Sequence, residues 1–223
     1  MVERYMTALR SRGRPRKASK SQIVEHAMAL YWHDGLSTRS LNELCRQLDL
    51  SKPVLYREFG GEDGLIAECL SLYGQTVRDA FGDIINDGKP FQVQVDNFID
   101  KIFALHKQFP QGCLLMQATR EQRDLGQASL KAMQSESSDF FQMILHWVQK
   151  AKRQGAIASN VTAKVASSLI LAQVHCVHSG LVGGLTKDLV RELSDLSLQS
   201  IPIHNELSLN INTLAFLILI QFN

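Results

Sequence analysis

Apolar residues along this chain recur three and four positions apart far more often than two apart. Ile23, Ala27, Leu30 and Tyr31 make one such stripe, and Leu65, Cys69, Leu72 and Tyr73 make another. Phe91, Val95, Phe98, Ile99 and Ile102 repeat the pattern, as do Phe140, Ile144, Trp147 and Val148. Two later stripes, one of Val165, Leu169 and Ala172 and one of Leu189, Leu193 and Leu196, continue it. Such spacing puts residues on one face of an α-helix. Alternation of period two is nearly absent, so the pattern predicts an all-α protein. Breaks fall at Asp34-Gly35, at Asp87 to Pro90, at Phe109 to Gly112 and at Gly183-Gly184, the last ending a helix that begins near Thr162. The apolar segment 207–222 alternates at first and then does not, and its pattern predicts no single element.

The stretch from Ser40 to Phe59 carries the most information. Leu41, Leu44, Cys45 and Leu48 form the inner face of a short helix. Asp49, Leu50 and Ser51 make a tight connection: aspartate tolerates a left-handed backbone, and serine is a good helix N-cap. Pro53 falls in the first turn of the next helix, where its missing N–H is no loss. Leu55, Tyr56 and Phe59 give that helix its own inner face. Two short helices joined this tightly form a helix-turn-helix, whose second helix reads the DNA major groove.

Charge sharpens this reading. The net charge is only +2, but residues 1–20 hold seven basic side chains against Glu3. That is +6 on the arm, which leaves −4 on everything else. A basic arm on a mildly acidic body points to an anionic polymer, nucleic acid above all. Within the arm, Arg12-Gly13-Arg14-Pro15 is similar to the core of an AT-hook, which lays arginines along a narrow A·T-rich minor groove.

Here the chain resembles the TetR family of bacterial transcriptional regulators. The resemblance rests on the helix ending at Asp34-Gly35 and on Ser40-Leu41, Ser51-Lys52-Pro53, Leu55-Tyr56, Phe59-Gly60 and Leu65. It runs from Ile23 to Leu65 without a gap. Arg12 to Lys17 looks like the basic arm many members carry, and Phe109 to Leu115 is similar to a segment of one subgroup's ligand domain. Three positions depart from the family pattern. Asp49 replaces the usual turn glycine, Arg39 stands where a phosphate-touching threonine is common, and Glu62 stands where many members have a lysine.

The resemblance implies three parts: a basic arm (1–20), a three-helix DNA-binding domain (21–66) and a helical effector-binding and dimerisation domain (67–223). The expected DNA contacts are Arg12, Arg14, Arg16 and Lys17 on the arm. Arg39 and Ser40 are expected where the first helix of the motif meets the backbone, and Ser51, Lys52, Pro53, Val54, Tyr56 and Arg57 around the reading helix. Lysine or arginine can pair with guanine, valine and proline can pack on thymine methyls, and the tyrosine can hydrogen-bond a phosphate. An effector cavity is expected among Tyr73, Phe98, Ile102, Phe103, His106, Met116, Phe141, Leu145 and Trp147, a lining that suits a largely apolar ligand. Dimerisation is expected through 162–182 and 186–200.

Other chemistry finds little support. No GxSxG, HExxH or Walker sequence occurs, and Gly183 to Lys187 lacks the P-loop order. His175 and His178 lie three apart on one helix with no further ligand cluster in the sequence, so no metal or cofactor is expected. The four cysteines are scattered and read as buried thiols. The start of the chain lacks the apolar core of a signal peptide, and no run of about 20 apolar residues occurs. The expectation is a cytoplasmic, nucleoid-associated, non-enzymatic repressor. It would bind a pseudo-palindromic operator as a homodimer and leave it when a small effector binds. The alternative is an architectural, AT-hook-assisted DNA-binding protein without an effector.

Overall fold

The computed structural model describes residues 18–37, 40–108, 112–199 and 201. The arm residues 1–17, Arg39 and the apolar segment 207–222 lie outside them. Among the described residues there are nine helices and no strand. They are α1 (Lys20–Asp34), α2 (Leu41–Gln47), α3 (Lys52–Phe59), α4 (Glu62–Ile85), α5 (Phe91–Gln108), α6 (Leu114–Arg120), α7 (Gln127–Arg153), α8 (Ala163–Val182) and α9 (Lys187–Leu198). The all-α expectation holds.

The chain divides into two compact units. One takes in the described residues up to Thr76 together with Cys113–Ser137; the other takes in Val77–Gly112 and the described residues from Ser138 onward.

In the first unit, helix starts are written in the sequence. Ser19 and Gln22 form a reciprocal capping box on α1, and the Ser40 hydroxyl accepts the Glu43 N–H to cap α2. Ile23, Val24, Ala27 and Tyr31 on α1 are buried, as are Leu44 and Cys45 on α2 and Leu55 and Phe59 on α3. Lys20, counted with the arm by charge, is the first residue of α1; it pairs with Glu68 at 2.5 Å and lies over the Phe59 ring.

The second unit is built round aromatic rings. Phe81 and Phe98 stand 4.5 Å apart between centroids, Phe98 stacks on Trp147 at 5.7 Å, and Phe91 lies 5.0 Å from Trp147. Gln94 is buried here and fully used: it accepts from the Trp147 indole N–H at 2.7 Å and donates to the Ile85 carbonyl and the Asp87 carboxylate. That satisfies the polar handle a buried tryptophan brings. Lys150, Lys152 and Arg153 crowd the last turn of α7, where cations complement the helix dipole.

Helix α8 packs against α5 and α9. Its buried face is Ala166, Ser167, Ile170, Gln173, Val177 and His178, while Val165 and Val182 are exposed. By length and composition α8 is long and apolar enough to cross a membrane. The sequence expectation of no such stretch is corrected on that point, because its scattered polar residues break the run without lowering its average enough. On α9, Val190, Ser194 and Leu198 are buried, and Leu189, Leu193 and Leu196 are exposed.

Candidate nucleic-acid interface

The motif's turn is held by backbone bonds. The N–H groups of Leu48 and Leu50 reach the carbonyls of Leu44 and Cys45 at 3.0 and 2.8 Å. Asp49 takes φ 49°, the one positive φ among the described non-glycine residues. This is the left-handed position the sequence assigned to aspartate. Ser51 stands at the N-cap of α3 with extended backbone, but its hydroxyl makes no capping bond, so its expected capping role is positional only. Pro53 sits in the first turn as expected. Gly60 ends the helix left-handed at φ 75° and sends its N–H back to the Tyr56 carbonyl. Gly64 then lets α4 start hard against α3: a Cβ there would overlap the Phe59 carbonyl oxygen.

This geometry divides α3 cleanly. Leu55 and Phe59 anchor it; Lys52, Pro53, Tyr56 and Arg57 are exposed and Val54 is half-buried. Tyr56, expected from its spacing on the inner face, is instead 55% exposed, because only positions four apart (Leu55 and Phe59) turn inward on so short a helix. Such exposure is unusual for an aromatic ring without a partner surface. The Arg57 guanidinium bonds to its neighbour Glu58 through Nε at 2.8 Å and Nη2 at 2.6 Å. A DNA contact by Arg57 must therefore exchange this exposed pair, a small cost. Glu62 opens α4 half-buried, accepting from the Tyr31 hydroxyl at 3.4 Å. Burial raises its pKa, and the Tyr31 bond pulls the other way.

Sequence reasoning missed three groups that position this motif. The Glu121 carboxylate, just past α6, accepts from the N–H groups of Leu36 and Ser37 at 3.0 Å and from the Ser37 hydroxyl at 2.7 Å. Gln117 on α6 donates to the Trp32 carbonyl at 3.4 Å. Asp63 on α4 caps α7, accepting from the N–H groups of Ala128 and Ser129 at 2.9 and 3.0 Å. Burial alone would raise the Asp63 pKa; the bonds from Ser129 and Ala128 outweigh it and hold the carboxyl low. No local motif announces such clamps, since each spans many tens of residues of chain.

The candidate effector residues fall in both units. Tyr73 is buried and Met116 half-buried in the first. In the second, Phe98, Ile102, Phe103 and Trp147 are buried in the core, and His106, Phe141 and Leu145 are half-buried. A hollow of about 50 Å³ beside Trp147 is lined by Gly88, Lys89, Phe91, Gln94, Lys150, Ala151 and Gln154. That is room for water rather than for a ligand, whose pockets start near about 300 Å³.

No family model matches the chain. The HTH-type transcriptional repressor ComR of Escherichia coli (strain K12) is 34% identical over 64 residues, a match spanning 29% of this chain and 30% of that relative's length. Solved structures agree over far more of the chain. A cysteine mutant of the TetR family transcriptional regulator CifR, complexed with 26 bp double-strand operator DNA, superposes with a TM-score of 0.71 at 20% identity, covering 85% of this chain and 100% of that one. A TetR transcriptional regulator from Chloroflexus aurantiacus gives 0.71 at 17% identity over 82% and 96%. FadR from Bacillus subtilis, in complex with stearoyl-CoA, gives 0.65 at 14% identity over 81% and 96%. By fold, the chain is similar to TetR-family transcriptional regulators.

Proposed function

We propose that this protein is a ligand-responsive transcriptional repressor of the cytoplasm that binds a pseudo-palindromic operator as a homodimer. A small, largely apolar effector releases it. Its parts are a basic arm (1–20), a DNA-binding domain (21–66) and an effector-binding and dimerisation domain (67–223). The observation that carries the reading is the division of α3, with Leu55 and Phe59 buried and Lys52, Pro53, Tyr56 and Arg57 turned outward. The dimer reading is supported by five exposed large apolar side chains, Val182, Leu185, Leu189, Leu193 and Leu196, since exposed apolar surface is what partner interfaces cover. CifR in complex with operator DNA and FadR in complex with stearoyl-CoA support the two kinds of partner.

Two reading helices on a two-fold axis should protect half-sites about one helical turn, or a multiple of it, apart. Footprinting tests this, and a single asymmetric half-site bound by a monomer would overturn the model. Lys52→Ala should weaken operator binding and lower the salt slope by about one unit. Removing residues 1–17, which hold six cations, should flatten the slope further, most where A·T-rich sequence flanks the operator.

A further inference from the structure

In the second unit, His106 of α5 and His178 of α8 face each other with ring centroids 5.9 Å apart and ring planes 51° apart. The Nδ1 atom of each is buried and without a hydrogen-bond partner. His178 is only 8% exposed. Gly112 comes close enough that a Cβ there would lie 3.7 Å from the His178 Nδ1, in ordinary contact with the ring. The buried face of α8 leaves two more polar atoms unpaired, Ser167 Oγ and Gln173 Oε1. Each such group is destabilising when nothing meets it. A closed apolar core would not collect them on one helix face.

We propose that His106 and His178 form the polar end of the effector site and hold a small uncharged molecule, apolar over most of its surface, by one hydroxyl group. This rests on the effector-responsive reading given above. A neutral imidazole presents one N–H and one bare nitrogen. A hydroxyl both donates and accepts, so one oxygen satisfies one ring of each kind, whereas a carbonyl satisfies only a donor. One bond of about 2.7–3.0 Å to each ring fits the separation of the pair. Phe103, one turn before His106, and Val174 and Val177, beside His178, supply the apolar surroundings. A cation would meet two rings that burial keeps uncharged. A metal ion would find too few ligands, since no group of three ligating side chains occurs among the described residues.

The test compares 1-naphthol, naphthalene and 1-naphthoate as probes of the full-length protein, by calorimetry and by ¹⁵N resonances of labelled histidines. The hydroxyl probe should bind at least about tenfold tighter than naphthalene and should shift the Nδ1 resonances of both histidines. His178→Leu should remove that advantage, and His178→Gln, which still donates and accepts, should keep part of it. Should His178→Leu fail to fold, the resonances of the unaltered protein decide. Equal binding of naphthol and naphthalene, tightest binding of the naphthoate, no saturable binding of naphthol, or unmoved Nδ1 resonances would each overturn the proposal. Operator affinity is measured separately. Naphthol held by the two histidines without release of operator would leave the binding site standing and overturn its role as effector site. Loss of operator binding by the free protein would overturn the regulator reading itself.

Discussion

Each unit has a buried apolar core, and the two differ in what is added to it. In the first, side chains bond to distant backbone: Glu121 to Leu36 and Ser37, Gln117 to Trp32, Asp63 to Ala128 and Ser129. In the second, a cluster of Phe81, Phe91, Phe98, Phe140 and Trp147 dominates, with Gln94 as its hydrogen-bonded polar member. Directional bonds fix where a loop or helix end sits, which suits a motif proposed to meet DNA in register. Aromatic packing supplies bulk stability and tolerates repacking at constant volume. That suits a unit proposed to open around a ligand.

The sharpest way to break this contrast is to remove one ring. Trp147→Ala should lower stability by about 3–5 kcal/mol, the usual cost of emptying a large buried site, and would also strand Gln94 Oε1. Lys52→Ala, on the exposed face of α3, should stay within about 0.5 kcal/mol. Denaturant melts of both measure the difference. A loss below about 1 kcal/mol for Trp147→Ala would mean that the ring cluster is not what holds the second unit.

The second unit also hides a titration at His178. Burial, and then the neighbouring imidazoles of His106 on α5 and His175 on α8, bring the His178 pKa down from 6.5 to about 4. The unfolded chain therefore takes up this proton first as pH falls. Stability is fully present above about pH 6.5 and is lost progressively down to about pH 4. The loss attributable to this group is at most about 3 kcal/mol. His178→Leu should flatten that part of the stability profile, and an unchanged profile would remove His178 as its source.

How much of this was legible follows the same division. The helix-turn-helix could be read because its signals are local: Ser40 at a cap, Asp49 at a left-handed turn, Pro53 in a first turn, Leu55 and Phe59 four apart. The long helices were equally plain from their periodicity. What the stripes on α8 and α9 could not say is which way they face. Val165, Leu189, Leu193 and Leu196 look like core positions yet lie exposed, while Ser167, Gln173, His178 and Ser194 are buried. Periodicity reports that a face seeks apolar contact, not whether its own chain supplies that contact. The clamps of Glu121 and Asp63 and the pairing of His106 with His178 join residues far apart in sequence, and no spacing encodes them.

A middle-sized effect tests the polar clamps. Glu121→Ala leaves the Leu36 and Ser37 N–H groups and the Ser37 hydroxyl without their acceptor, and should cost about 1–3 kcal/mol. Operator affinity should fall with it, because this loop leads to Ser40 and the start of α2. All three bonds reach one carboxylate oxygen, so Glu121→Gln keeps an acceptor for them without the charge and should lose less. Thermal melts beside operator titrations separate the two effects. A melt shift with unaltered operator affinity would make the clamp a matter of stability alone.

The smallest expected effect concerns Glu62, where the demands of folding and of the proposed DNA binding meet on one side chain. At the first position of α4, a carboxylate gains a few tenths to about 1 kcal/mol from the helix dipole. Glu62 also accepts from Tyr31, but at 3.4 Å, so that bond is weak. Partial burial works against the charge and raises its pKa. These terms nearly cancel, and Glu62→Gln, which keeps an acceptor for Tyr31, should change stability by only a few tenths of a kcal/mol. Glu62→Lys reverses the charge at the helix start and should cost about 1 kcal/mol in the free protein. If residue 62 faces a phosphate, as the resemblance implies, the lysine should tighten binding to operator and random DNA alike. The salt slope should then rise by about one unit, with base preference unchanged. Salt titrations of the two variants and the unaltered protein measure this, and an unchanged slope in Glu62→Lys would place residue 62 away from the backbone, serving only the bond to Tyr31.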